Sequence, residues 1–186
     1  MARNGGTLRR RAAVTKTDRA DQIIAGWRIE MPEIAGVALE VTKRTARLNA
    51  VFDEVLGTQL AKLGLTRAEY AVLATLRRSG RPYRMRPSDL TAALLLSSGG
   101  MSNVLKRIVE AGYVRRNNDP TDGRSSRVEL TAEGVRLAEL AVRQAVVAHT
   151  ELLKKVPPSK TRELSDLLRE ILILLGDEAL SDEPSR

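Results

Sequence analysis

The chain has 186 residues, 42% hydrophobic and 29% charged, which is the balance of a globular protein long enough to bury one substantial core. There is no cysteine and a single histidine, His149, and no apolar run approaches the roughly 18 residues of a membrane span. Disulfides, thiolate metal sites and thiol redox chemistry are excluded, and the expectation is a cytoplasmic protein that works without a cofactor. The formal charge of +8 favours a polyanionic partner, while 3% aromatic residues leave little for stacking on unpaired bases, so a nucleic-acid partner would be duplex.

In chain order, residues 1–17 hold Gly5, Gly6, Arg9, Arg10 and Arg11 with hardly a large apolar side chain, and read as a disordered basic arm. A short helix is predicted from Thr17 to Glu30, with Asp18 or Asp21 at its start and Ile23, Ile24 and Trp27 on one side, ending before Pro32. Val41, Leu48, Phe52, Val55, Leu56, Leu60 and Leu63 then step by threes and fours, predicting a long amphipathic helix from Ile34 to Leu63 that Gly64 stops. Thr66-Arg67-Ala68-Glu69 has capping-box spacing and opens a third helix to Arg78. After Gly80 and Pro82, a helix opens at Pro87, Ser88 and Asp89 and carries Leu90, Leu94, Leu95 and Leu96.

Across a tight turn at Ser97 and Ser98, the next helix runs to Ala111. It sets Met101, Leu105, Ile108 and Val109 on one side and Ser102, Asn103, Lys106 and Arg107 on much of the other, and Gly112 terminates it. Tyr113 to Arg116, the turn-rich Asn117 to Gly123 and the alternating Arg124 to Thr131 form a β-hairpin with a charged tip. Thr131 starts a helix through Leu137, Leu140, Ala141, Val146 and Leu152 to Pro157 and Pro158. A last helix from Ser159 carries Leu164, Leu167, Leu168, Ile171, Leu172 and Leu175. Its apolar side is wide enough to suggest a second subunit.

Helix, turn, helix and hairpin in that order predict a mainly α fold with a small β-hairpin wing, a winged helix-turn-helix joined to a helical dimerisation region. The positive charge coincides with it: residues 1–20 carry +5, residues 77–127 carry +7, and the remainder about −4. Such a stretch binds phosphates through counterion release when it forms one face; the alternative is a solvated basic surface.

The sequence resembles the MarR family of regulators, through Asp122-Gly123-Arg124 followed by Leu130-Thr131 and Gly134, through Leu63-Gly64-Leu65-Thr66, and through Met101-Ser102-Asn103 with Arg107. The likeness spans about residues 19–176. It implies a cytoplasmic homodimer whose first and last helices interlock, binding double-stranded DNA at an imperfect palindrome and repressing transcription until a small-molecule effector releases it. The corresponding division is a basic arm at 1–17, N-terminal helices at 18–63 belonging to the dimerisation region, the DNA-binding region at 64–134, C-terminal dimerisation helices at 135–176 and a frayed acidic tail at 177–186.

Each site residue has a physical rationale. Ser97, Ser98 and Gly99 lie at a helix N-terminus, which favours a phosphate, although Ser97 is equally suited to capping. Ser102, Asn103, Lys106 and Arg107 are the major-groove candidates, because Asn pairs with adenine and Arg or Lys with guanine. Arg107 has two open readings, base contact or a phosphate or scaffold role. The resemblance sends Arg124 into the minor groove, where narrow A·T-rich stretches attract a guanidinium, with Asp122 as a brace in the wing turn. Arg115, Arg116 and Arg127 are phosphate contacts or solvated strand faces, and Arg84 and Arg86 reach the DNA backbone in the same way.

Trp27 on the added N-terminal helix resembles the urate-responsive subset of the family, and Trp27 with Arg78 are the candidate ligand residues. Ordinary packing is the other reading of Trp27. Ala71 and Val104 stand where that subset carries an acid and an arginine, so a more apolar effector, or none, fits these positions better. Lys106 replaces a commonly acidic residue and adds positive charge. An architectural, non-specific DNA-binding protein is the competing function. A protein-binding winged helix would leave the wing arginine free to vary. An enzyme is disfavoured, since Ser98-Gly99-Gly100 is neither a nucleophile elbow nor a dinucleotide fingerprint.

Overall fold

A computed structural model describes residues 16–118 and 126–177. The chain divides between Val51 and Phe52 into two compact units. In the first, helix α1 (Arg19–Glu30) begins at a reciprocal capping box, in which the Asp18 carboxylate accepts from the Asp21 N–H and the Asp21 carboxylate from the Asp18 N–H. Of the two aspartates that the sequence offers as a start, Asp18 is the cap. A single 3-10 turn at Pro32–Ile34 leads to α2 (Val37–Lys62). Arg44 gathers three carboxylates, Asp18 at 2.9 Å, Asp21 at 2.5 Å and Glu40 at 3.0 Å. The Asp21 backbone N–H and then Arg44 hold the Asp18 carboxyl below its ordinary range.

The second unit takes over within α2, which Gly64 ends with a positive φ of 66°, a conformation that glycine adopts without steric cost. Helix α3 (Arg67–Arg78) follows from the Thr66 capping box. After it come β1 (Arg84–Met85), α4 (Pro87–Leu94), α5 (Ser98–Glu110), β2 (Val114–Asn118), β3 (Ser126–Leu130), α6 (Ala132–Leu153) and α7 (Pro158–Leu174). The sheet is antiparallel with order β1-β3-β2. The fold is mainly helical with a small three-stranded sheet, as the sequence predicts, except that the expected two-stranded hairpin gains β1.

The core of this unit is continuous. Val72, Leu73 and Leu76 of α3, Leu90 of α4, Met101, Leu105 and Ile108 of α5, and Val114, Val128 and Leu130 of the sheet are all buried together. The structure divides the apolar positions of α4 and α6 into buried and exposed ones. Leu95 does not join the core: α4 stops at Leu94, Leu95 adopts a left-handed conformation with φ 51°, and its side chain is 93% exposed. In α6 the buried face is made of small residues, Ala138, Ala141 and Ala145, whereas Leu140 and Val146 are exposed. Alanine lets a neighbouring element approach closely, which a search for large apolar side chains does not detect.

The Leu-Thr-x-x-Gly segment is a junction between wing and helix. Leu130 is core, the Thr131 Oγ1 accepts from the Gly134 N–H at 3.0 Å and donates to the Gly112 carbonyl at 2.8 Å, and the Thr131 N–H donates to the Tyr113 carbonyl at 3.0 Å. A Cβ on Gly134 would lie 1.9 Å from the Tyr113 carbonyl oxygen, so this position has no room for a side chain. Helix α7 differs from the others in having no buried residue. No helix among the described residues is long and apolar enough to cross a membrane.

Candidate nucleic-acid interface

Helix α5 is positioned from behind. Met101, Leu105 and Ile108 are buried, and the Ser97 Oγ accepts from the Gly100 N–H at 3.1 Å, so Ser97 caps the helix. With the apolar face fixed, the opposite face presents Ser98, Gly99, Ser102, Asn103, Lys106 and Arg107, all exposed. These six positions fall on two adjacent rows spaced by four residues, which a helix stacks on one side. The structure therefore brings together the α5 residues that the sequence reading singles out. Lys106 lies 4.0 Å from Glu110 one turn on.

Arg107 is exposed like its neighbours but not unengaged. Its Nε lies 3.0 Å from Oε1 of Glu69 on α3 in an ion pair, and Glu69 is only 5% exposed. The other carboxylate oxygen, Oε2, accepts from the Thr66 N–H and hydroxyl, each at 2.7 Å. One buried carboxylate thus joins the start of α3 to the last turn of α5. Sequence reasoning found Glu69 as a capping residue and missed its second partner.

The sheet's register sorts the remaining arginines. Arg84, Glu129 and Arg115 are directly opposed across the three strands, and Asn117 opposes Arg127 in the next row but one, so these side chains share the face away from Val114 and Val128. Arg116 opposes the buried Val128 and belongs to the other face. Glu129 sits in the middle of the arginines. Its carboxylate accepts from Arg115 at 2.7 Å and from the Asn117 amide at 2.6 Å, which makes Arg115 a partner within the wing as well as a surface cation. Arg84 is exposed on β1, and Arg86 is exposed at the N-cap position of α4. Asp122 and Arg124, which the sequence reading assigns to the wing, lie outside the described residues.

Behind the interface, Arg77 of α3 donates to Glu139 of α6 at 2.8 and 3.0 Å, and its guanidinium lies 4.7 Å from the centre of the Tyr83 ring. The hydrogen bond from Arg77, and then the Arg77 and Arg143 charges, hold the Glu139 carboxyl below its ordinary range. Of the two predicted ligand residues, Trp27 is 38% exposed on α1 and Arg78 is exposed at the end of α3, the former in the first unit and the latter in the second. A groove of about 620 Å³ in the second unit is lined by Val55, Gln59, Gln144, Val147, Ala148 and Leu152 among others, and Arg78 is not one of them.

Residues 63–125 match the model of the MarR family. The chain is 30% identical over 149 residues to the HTH-type transcriptional regulator PecS of Dickeya dadantii, a match covering 80% of this chain and 90% of the relative. It is also 30% identical over 128 residues to the multiple antibiotic resistance protein MarR of Escherichia coli, covering 67% of this chain and 85% of that protein. Among solved structures, a mutant E. coli MarR complexed with operator DNA superposes with a TM-score of 0.63 at 25% identity, covering 78% of this chain and 97% of the other. AbsC, a MarR family transcriptional regulator from Streptomyces coelicolor, superposes with a TM-score of 0.63 at 26% identity, covering 77% of this chain and 97% of the other. On the wing junction, the helix-turn-helix and these similarities together, the chain belongs to the MarR family.

Proposed function

We propose that this protein is a sequence-specific, duplex-DNA-binding transcriptional regulator that acts as a homodimeric repressor and is released by a small-molecule effector. The observation that carries the reading is α5: an apolar face fully engaged in the core and an opposite face of Ser102, Asn103, Lys106 and Arg107 open to solvent, in a chain similar to a regulator solved with operator DNA. A rigid helix bearing amide and cationic groups suits the major groove, where each base pair presents a distinct donor and acceptor pattern. Arg84, Arg115 and Arg127 on one sheet face lend the wing phosphate contacts, and Arg124 is assigned to the minor groove.

The second subunit is supported by α7, where Leu164, Leu167, Leu168, Ile171 and Leu172 are each more than a third exposed. A soluble protein seldom leaves such a stripe to water unless another surface covers it. Residues 135–176 with the N-terminal helices are accordingly read as the dimerisation region and residues 64–134 as the DNA-binding region. For the effector, Ala71 and Val104 favour an apolar molecule over urate, and half-exposed Trp27 on the N-terminal helix is the aromatic surface nominated for it.

Footprinting on the preferred duplex from a randomised pool tests the reading. Two related half-sites about 10 bp apart are expected, since a two-fold dimer presents its recognition helices to successive major grooves. Protection of a single half-site, or equal affinity for every duplex, would contradict it.

A further inference from the structure

The Glu69–Arg107 pair has a feature that a simple helix-to-helix brace does not require. Arg107 is ion-paired to Glu69 with Nε 3.0 Å from Oε1, while its side chain as a whole stays 61% exposed. Nε is the inner nitrogen of the guanidinium, so the carboxylate meets the planar group near its base while most of the side chain stays open to solvent. The carboxylate itself is fixed, because its second oxygen is taken by the Thr66 N–H and hydroxyl at 2.7 Å. A long side chain that would otherwise sample many rotamers is thereby set in one orientation by a buried anchor.

We infer that Glu69 is a positioning residue for DNA binding, holding Arg107 as a preset phosphate clamp rather than a base reader. This rests on the DNA-binding reading above and adds a residue and a role to it. The place of Arg107 on α5 supports a phosphate over a base. It lies four residues beyond Asn103, roughly 6 Å further along the helix axis. A helix whose earlier side chains reach base edges in a groove about 12 Å wide brings that turn to the rim, where the phosphates lie. The two outer nitrogens match a phosphate bidentately.

The test uses the full-length protein, with anisotropy titrations over a range of salt against the preferred duplex from a randomised pool and a scrambled duplex of the same length. Arg107→Met is expected to weaken binding to both duplexes by similar factors and to lower the salt slope by about 1, the mark of one lost phosphate contact. Glu69→Gln keeps a capping acceptor for Thr66 and retains the arginine. It is expected to weaken both affinities between roughly twofold and tenfold, the cost of ordering one long side chain on binding, with the slope unchanged. Removing a negative charge would by itself strengthen binding to a polyanion, so the fall reports lost orientation. Combined, Glu69→Gln and Arg107→Met should bind no worse than Arg107→Met alone.

Arg107→Lys supplies a control that misfolding cannot imitate. One ammonium cannot serve the carboxylate and a phosphate at once, so Arg107→Lys should bind weakly and adding Glu69→Gln should restore part of the affinity. Additive effects of Glu69→Gln and Arg107→Met, a loss confined to the preferred duplex, or no recovery of Arg107→Lys by Glu69→Gln would each overturn the inference. If the unaltered protein binds neither duplex, the DNA-binding reading itself fails; if it binds normally and the variants break the pattern, only the role of Glu69 does.

Discussion

Helices α5 and α7 are both amphipathic, and their apolar residues follow the same three-and-four spacing, yet the fold treats them in opposite ways. In α5 the stripe of Met101, Leu105 and Ile108 is buried within the chain's own core, and the polar side remains outside. In α7 the stripe from Leu164 to Leu172 is exposed and no residue is buried. The difference separates two uses of one pattern. A helix whose apolar face is consumed inside its own unit is a rigid platform for its polar face. A helix whose apolar face is unconsumed holds its binding energy in reserve for another surface.

Breaking the platform has the largest expected effect. Gly134→Ala places a Cβ against the Tyr113 carbonyl at the junction behind the wing. Because backbone has to move, a loss of about 3 kcal/mol or more in chemical denaturation is predicted, at every protein concentration. A loss below about 1 kcal/mol would show that the junction yields easily. Breaking α7 acts on assembly instead. Leu168→Lys with Ile171→Lys is predicted to convert the particle from dimer to monomer in analytical ultracentrifugation while leaving the circular dichroism of the folded unit in place. An unfolded product would mean that α7 belongs to the core of its own chain after all. The third and smallest effect concerns the pair behind the platform. Arg77 depresses the titration of Glu139, so its contribution is present above the ordinary carboxylate range and is lost as pH falls through the lowered value. Arg77→Met is therefore expected to lower the thermal midpoint slightly at neutral pH, with the gap narrowing in acid. A gap that widens in acid would reverse the assignment.

Much of this was legible in the residues because it depends on local order. The Thr66 capping box, the glycine stop at Gly64, the Ser97 cap and the alternation of Val128 and Leu130 against Arg127 and Glu129 are all written within a few positions. The exposed face of α5 follows from periodicity alone. What stayed hidden depends on residues far apart in the chain or on runs too short to carry a period. Strand β1 has two residues and exists only because β3 offers an edge. Glu69 and Arg107 meet across 38 positions, and neither looks unusual without the other. The necessity of Gly134 comes from a carbonyl 21 residues earlier. The exposure of Leu95 is not legible in the sequence either, because it follows the left-handed backbone at the end of α4.

Base reading by the open face of α5 underlies the proposed function. It is tested most directly by measuring Asn103→Ala against the preferred duplex from a randomised pool and against a scrambled duplex of equal length. A loss of about 1–3 kcal/mol is expected on the preferred duplex and almost none on the scrambled one, because a base contact carries discrimination and a phosphate contact does not. Equal losses on the two duplexes, or none on either, would contradict it.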